Sequence, residues 1–171
     1  MHIFKKKKED IYPLYNKLVL LTRKKFLYKY YKLSDSFSNR IYLIFFHLCL
    51  ILNELKNRKI DKDSSQMIFD YFIRQIETNC RELGYGDTSI NKKMKILVEL
   101  FYEILINCEK WNKTKNTRKN NLIIKFFDPS SGNILLVGKL TNYFDKFALF
   151  IKDIPLNLLI KGVFNFAYKD K

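Results

Sequence analysis

Apolar residues recur at intervals of three and four along most of the chain. Positions with that spacing share one face of an α-helix, so each stripe predicts a helix that buries one side. Helices are predicted over residues 13–31, 37–56, 66–83, 88–109 and 134–152, followed by a short apolar element from Pro155 to about Phe166. Residues 122–127 form an apolar run too short for periodicity to separate a strand from a helix. The pattern predicts an all-α fold, a single-domain bundle of about six helices.

The helix predicted over residues 37–56 is apolar on nearly every side. A helix of that kind is buried by its neighbours, so it is predicted to lie at the centre of the bundle. His47 lies within it. No Ser, Cys or acidic residue stands at a spacing typical of a catalytic partner, so a core or interface imidazole held by one hydrogen bond is favoured over a proton carrier.

The segment Arg81-Glu82-Leu83-Gly84-Tyr85-Gly86-Asp87 connects two of the predicted helices. Gly84 follows the last apolar position of the first helix, where a left-handed residue ends many helices and glycine adopts that conformation freely. Asp87 or Thr88 is predicted to cap the second helix with its side chain. A plain connector is one interpretation of this corner, and a charged binding surface is the other.

Three polar segments interrupt the helical pattern. Residues 1–10 are a basic tail in which Glu9 and Asp10 stand where a secretory signal needs an apolar core, so no signal peptide is predicted. Residues 112–121 contain no apolar side chain and are predicted to be a mobile loop within a single domain spanning residues 11–168. A turn is predicted at residues 128–132.

The chain is strongly basic, with 32 Lys and Arg against 17 Asp and Glu and a formal charge of +15. That charge predicts attraction to an anionic membrane surface, to RNA or to an acidic protein. The longest apolar run, residues 41–52, is shorter than the roughly 20 residues that cross a bilayer, so membrane contact would be peripheral. Tyr28, Tyr30 and Tyr31 are interleaved with lysines, which keeps a basic RNA- or ribosome-binding module as the alternative function.

Lysines crowd the first turns of the helix that follows the corner. Lys92, Lys93 and Lys95 lie there, beside Met94 on the apolar stripe of the same helix. The amino end of a helix dipole disfavours cations. These lysines therefore indicate either an external anionic partner or simply a composition rich in lysine.

The chain lacks the sequence signatures of common catalytic and cofactor sites. No glycine-rich phosphate loop or nucleophile elbow occurs, and neither cofactor nor metal is expected. Cys49, Cys80 and Cys108 lie among apolar residues without the close spacing of a zinc site, which predicts buried free thiols. Catalysis by His47 with Glu82 is the remaining enzymatic hypothesis, and binding is favoured over it.

The corner from Arg81 to Asp87 resembles the signature of the ubiquinol-cytochrome c chaperone family. That signature reads roughly Leu-Arg-Glu-Leu-Gly-Val-Gly-Asp and continues to a basic pair with Met, which corresponds here to Lys92-Lys93-Met94. Tyr85 stands in place of the usual Val. Further similar elements, in the same order along residues 34–102, are Asp35-Ser36-Phe37, Arg40, His47, Phe69-Asp70, Phe72 and Phe101-Tyr102.

This resemblance implies an all-helical, non-enzymatic assembly factor for respiratory complex III that binds newly made cytochrome b, of the bacterial type that acts largely alone. It implies a cytoplasmic location, peripheral to the inner membrane, or the matrix side in a mitochondrion. Contact with an anionic membrane surface or the ribosome would accompany that role. The partner-binding residues that it implies are Arg81, Glu82, Gly84, Tyr85, Gly86, Asp87, Lys92, Lys93, Met94, Asp35, Arg40 and His47.

Overall fold

The fold was obtained as a computed structural model that describes residues 11–127 and 133–168. The helices are α1 Tyr12–Thr22, α2 Lys25–Tyr31, α3 Phe37–Asn57, α4 Lys62–Glu82, α5 Asp87–Cys108, α6 Asn116–Phe127, α7 Ile134–Lys152 and α8 Leu156–Ile160, with a 3₁₀ turn at Trp111–Lys113. Within those two ranges no β-strand occurs, and the all-α prediction is confirmed. The basic tail at residues 1–10 and the turn predicted at residues 128–132 lie outside the described residues.

Helix α3 forms the centre of the bundle, as its apolar sequence predicts. It packs against α1, α4, α5, α6 and α7. Phe45, Phe46, Leu48 and Ile51 have no exposed surface, although they point to different sides of the helix. The other helices are amphipathic and each covers part of α3, so a single hydrophobic core holds them together.

The single helix predicted over residues 13–31 is in fact two helices, because the backbone turns at Lys24. Lys24 is extended, with φ −61° and ψ 123°. In a continuous helix the carbonyl of Thr22 would accept the amide of the residue four positions on. The Tyr28 hydroxyl instead donates to that carbonyl at 2.8 Å, and the Thr22 hydroxyl donates back to the carbonyl of Leu18 at 2.8 Å. The carbonyl that the break leaves without an amide partner is thus satisfied by a side-chain hydrogen bond.

The prediction of a mobile loop over residues 112–121 is also wrong. A 3₁₀ turn and the first turns of α6 occupy most of this segment. Lys119 is 6% exposed. Its ammonium donates to the Asp145 carboxylate on α7 at 2.8 Å and lies 5.1 Å from the ring centroid of Trp111. In a second hydrogen bond, the Thr141 hydroxyl donates to the side-chain oxygen of Asn120 at 2.7 Å. Polar residues therefore attach this segment to α7, and the apolar run at residues 122–127 is its helical continuation.

Helix α4 begins at Lys62, four residues before the predicted start at residue 66. Asp61 caps it, because its carboxylate accepts the Ser64 amide at 2.8 Å. The three cysteines are buried and free, as predicted. Burial raises the pKa of the Cys49 and Cys108 thiols, so both stay protonated.

The residues after α8 return across the start of α1. Phe164 and Phe166 are buried there, and the ring of Phe166 lies 5.2 Å from that of Phe147. Gly162 has a left-handed φ of +65°, and a Cβ at this position would lie 2.7 Å from the carbonyl oxygen of Pro13. Only glycine fits this close approach of two backbones.

Candidate functional site

The corner between α4 and α5 is a Schellman turn built around Gly84. Gly84 is left-handed with φ +86°, as predicted. Its amide donates to the carbonyl of Arg81 at 2.9 Å, and the amide of Tyr85 donates to the carbonyl of Cys80 at 3.4 Å. Those two bonds satisfy the last carbonyls of α4 and reverse the chain within a few residues.

The prediction that Asp87 or Thr88 caps α5 is wrong. Gly86 is the N-cap residue of α5, and no side chain accepts a hydrogen bond from its first amides. The Asp87 carboxylate accepts from Arg81 instead, while Arg81 also donates to Glu77 at 2.8 Å. These hydrogen bonds, first that with Glu77, raise the pKa of the Arg81 guanidinium. Arg81 thus bridges the end of α4 to the start of α5 on the exposed side of the corner.

Lys93 joins the corner to the start of α3. Its ammonium lies 4.4 Å from the ring centroid of Tyr85 and 4.5 Å from that of Phe37, so the cation is held between two aromatic rings. It also donates to the Tyr85 hydroxyl at 3.3 Å. Its neighbour Lys92 is exposed, and Met94 is buried in the core. Of the residues Lys92-Lys93-Met94, Lys92 is therefore open to a partner, Lys93 is half-buried between the two rings, and Met94 is inaccessible, contrary to its prediction as a partner contact.

Asp35 and Arg40 lie at the start of α3, on the same side of the molecule. The Arg40 guanidinium donates to both carboxylate oxygens of Asp35, at 2.7 and 2.9 Å, which lowers the pKa of that carboxyl. Arg40 also lines a groove of about 250 Å³ together with Glu82 and Leu83. Apolar side chains of α1 and α3 form the floor of this groove: Val19, Phe37, Ile41 and Ile44.

The structure thus brings two distant parts of the sequence together as one surface. We call it the corner surface, and it consists of Asp35, Phe37, Arg40, residues 81–87, Lys92, Lys93 and the groove between α1, α3 and α4. Charged groups and an apolar groove lie side by side on it. Such a mixture is suited to binding a polypeptide that presents both kinds of side chain.

Comparison with known proteins shows the family to which the chain belongs. The family described as Ubiquinol-cytochrome C chaperone matches residues 29–117, more than half of the chain. The chain belongs to this chaperone family. The matched residues include the whole corner surface apart from the α1 side of its groove.

A solved structure supports the fold of the chaperone over nearly its whole length. The crystal structure of the Cbp3 homolog from Brucella abortus superposes with a TM-score of 0.76 and 21% sequence identity, covering 95% of this chain and 90% of that one. No curated protein matches the chain in sequence. Among the described residues, no helix of the chaperone has the length and apolar character needed to cross a membrane.

His47 does not belong to the corner surface, contrary to the prediction that it faces a partner. It is fully buried on α3, where its Nδ1–H donates to the carbonyl of Leu43 at 2.6 Å. The Tyr143 hydroxyl donates to Nε2 at 2.8 Å, and burial lowers the pKa of the imidazole to about 4. Both ring nitrogens are occupied, so His47 is a neutral core residue of the chaperone and does not meet the exposed Glu82.

Of the interleaved tyrosines of α2, Tyr31 is buried, and the half-buried Tyr28 and Tyr30 are engaged in contacts within the bundle. Tyr31 is fully buried, and the Tyr28 hydroxyl donates a hydrogen bond to the carbonyl of Thr22. Tyr30 accepts from Lys139 at 2.9 Å, with the ammonium 4.7 Å from its ring centroid. A stacking platform for bases needs open aromatic faces, so this arrangement does not favour the RNA-binding alternative.

Leu83 is a candidate partner contact that the sequence pattern assigned to the core. The side chain is 63% exposed at the end of α4, beside Tyr85, which is 42% exposed. Leu83 continues the apolar spacing of α4, so periodicity counts it as buried. The signal that distinguishes it is the adjacent Gly84, since the chain turns away before another element can cover Leu83.

Proposed function

We propose that this chaperone assists the assembly of ubiquinol:cytochrome c oxidoreductase by binding newly made cytochrome b at the corner surface. The observation that carries the proposal is the exposure of Leu83 and Tyr85 beside an apolar groove and a set of exposed charges. The family to which the chain belongs supports the assembly role. The choice of cytochrome b as the client and of the corner surface as its binding site are our inferences.

An unassembled membrane protein presents apolar helices and polar loops together. A binder for such a client needs apolar contact area and charged groups within one interface. The groove floor between α1 and α3 supplies the apolar area, and Leu83 extends it outward. Exposed apolar side chains that continue an apolar groove are typical of an interaction site.

The charged groups of the corner surface are suited to exchanging partners. Asp35 pairs with Arg40, and Arg81 pairs with Glu77 and Asp87, in pairs that are largely exposed. Exposed ion pairs contribute little to stability because water solvates both charges well. A charged loop of the client can therefore replace one member of a pair without a large loss to the fold.

Site-specific crosslinking tests this placement. A photoreactive amino acid at Tyr85 is expected to capture cytochrome b in membranes that are actively synthesising it. The matched control is Leu149, a large apolar residue on α7 that is also exposed and lies away from the corner surface. Equal capture from both positions, or capture from Leu149 alone, would contradict the corner surface as the client site.

The assembly role is tested separately by deleting the gene. Loss of the haem b absorbance of complex III, with other respiratory enzymes at normal levels, is the expected result. Binding of the purified chain to generic RNA at physiological salt, with an affinity that falls steeply as salt rises, would favour the RNA-binding alternative instead.

A further inference from the structure

Glu82 is an exposed carboxylate that the fold itself does not use. It is the last residue of α4, and its carboxylate forms no hydrogen bond or ion pair with any residue in the ranges 11–127 and 133–168. The carboxyl end of a helix carries a partial negative charge, so an anion at that end is disfavoured. The neighbouring cation, Arg81, is already engaged by Glu77 and Asp87. Local electrostatics therefore gives no reason for a carboxylate at this position.

Glu82 lies in the wall of the groove between α1, α3 and α4, beside Leu83. The floor of that groove is apolar and includes Val19, Ile41 and Ile44. Its volume of about 250 Å³ is below the roughly 300–1,000 Å³ that is typical of sites for small molecules. The groove is thus suited to a few side chains of a polypeptide that lies across it. A carboxylate beside an apolar floor fits a segment in which apolar and basic side chains are neighbours.

The α1 side of the groove has the opposite charge. Arg23 follows α1, and its guanidinium forms no hydrogen bond or ion pair within the described part of the chain. Arg40, which also lines the groove, is paired with Asp35. A basic side chain of a partner is repelled by Arg23 and attracted by Glu82. The two charges therefore favour a position for that side chain on the α4 side of the groove.

A membrane protein supplies segments with this composition. Its transmembrane helices are runs of about 20 apolar residues, and Lys and Arg are concentrated in the loops beside their cytoplasmic ends. At each of those ends an apolar stretch meets basic side chains. A chain with a formal charge of +15 repels such a segment over most of its surface, so a local carboxylate is needed to hold it.

We propose that the groove binds the end of a client's transmembrane helix, at the point where the apolar stretch meets Lys or Arg. The basic side chain pairs with Glu82, and the apolar side chains pack against Val19, Ile41 and Ile44. This inference rests on the proposed function, since it takes the client to be a membrane protein, and it names the part of the client that the corner surface recognises.

Three short fluorescent peptides test the charge requirement, each titrated into the full-length chain at physiological salt. They share one apolar stretch of leucine and alanine and end in lysines, glutamines or glutamates. The peptide ending in lysines is expected to bind about tenfold more tightly than the one ending in glutamines, because it adds a charge-assisted hydrogen bond. Glu82→Gln is expected to remove this difference and to leave the affinity for the glutamine peptide unchanged.

A matched variant and methyl resonances locate the effect. Glu99→Gln removes an exposed carboxylate of α5 outside the corner surface, and it is expected to keep the tenfold difference. In a chain labelled at its Ile and Val methyl groups, the lysine peptide is expected to shift the resonances of Val19, Ile41 and Ile44. The resonance of Ile106, exposed on α5 far from the groove, should not move.

Four results would overturn the inference. These are equal affinity for the lysine and glutamine peptides, a difference that survives Glu82→Gln, tighter binding of the glutamate peptide than of the lysine peptide, and shifts confined to Ile106. Capture of cytochrome b from Tyr85 together with any of these results would contradict this inference and leave the proposed function intact. The expected peptide preference without capture from Tyr85 would support the groove's specificity and contradict cytochrome b as the client.

Discussion

His47 and Tyr143 share a hydrogen bond of 2.8 Å in the centre of the bundle, with the hydroxyl as donor and the neutral imidazole as acceptor. The Nδ1–H of the ring is committed to the carbonyl of Leu43. Protonation at Nε2 would turn an acceptor into a donor facing the Tyr143 hydroxyl, and it would place a charge in the core. In the folded bundle His47 is therefore held in its neutral form only.

This arrangement predicts a loss of stability in mild acid. Burial lowers the pKa of His47 from 6.5 to about 4, so the unfolded chain binds this proton more readily than the folded one. The stability that neutral His47 contributes is fully present above pH 6.5 and is lost as the pH decreases toward 4. The contribution of His47 to the loss between pH 7 and pH 5 is about 2 kcal/mol. Urea unfolding at the two pH values measures it.

His47→Gln is the variant that isolates this effect. Glutamine can still accept from Tyr143, but it does not titrate. The free energy of unfolding of His47→Gln should therefore change less between pH 7 and pH 5 than that of the natural chain, even if it is lower at pH 7. Equal changes in the two proteins would show that His47 is not the titrating group.

The spacing of apolar residues and the position of glycine predict some of the elements, whereas those set by individual side-chain hydrogen bonds are missed. The apolar run of α3 and the glycine turn at Gly84 follow from neighbouring residues alone. Helix α6 depends on Lys119 reaching Asp145, 26 positions away, and the break at Lys24 depends on the Tyr28 hydroxyl. No periodicity encodes such contacts. Apolar spacing therefore predicts a loop where the polar segment is helical, and one helix where the chain forms two.

The candidate site shows the same division. The charges and glycines of the local sequence predict the corner itself. They do not predict that the corner lies beside the start of α3, where Lys93 contacts Phe37. The residues around His47 predict a core or interface imidazole, whereas the family resemblance places His47 on a partner surface, and its burial confirms the first of these predictions. A motif residue can thus serve folding rather than binding, and only its burial distinguishes the two.

Gly162→Ala is expected to destabilise the fold by about 2 kcal/mol, because it combines a left-handed φ with a clash against the Pro13 carbonyl. Gly84→Ala shares the left-handed φ but meets open space, so its cost should be about 1 kcal/mol. Gly138→Ala lies inside α7 with no neighbour within 4 Å and should stabilise by about 0.5 kcal/mol. Thermal unfolding of the three variants checks the order, and a Gly162→Ala variant as stable as Gly84→Ala would contradict the close backbone approach.

Lys93→Gln is expected to lower the free energy of unfolding by about 1 kcal/mol, since it removes the cation held between Phe37 and Tyr85. Lys92→Gln is the matched control at the neighbouring exposed position and should change stability by less than about 0.5 kcal/mol. Urea unfolding of both variants measures the difference. If the two variants were equally stable, the aromatic contacts of Lys93 would contribute nothing to the corner.

Asp145→Ala should cost about 2 to 3 kcal/mol, because it leaves the buried ammonium of Lys119 without its carboxylate. Lys119→Met should cost less, since Asp145 is the more exposed partner and water can solvate it once the lysine is gone. Far-ultraviolet circular dichroism during urea unfolding follows the loss of helix in both. Unchanged stability in both variants would mean that α6 is held by its apolar face alone.

Leu83→Asp separates binding from folding at the corner surface. Leu83 is exposed, so a carboxylate there remains hydrated, and the free energy of unfolding should change by less than about 0.5 kcal/mol. In a client site the same carboxylate would be buried against an apolar segment and would weaken the contact strongly. Cells carrying this variant should therefore show reduced haem b absorbance of complex III, whereas cells carrying Leu149→Asp, at a similarly exposed position on α7, should not. Normal haem b in the Leu83→Asp cells would remove Leu83 from the client site.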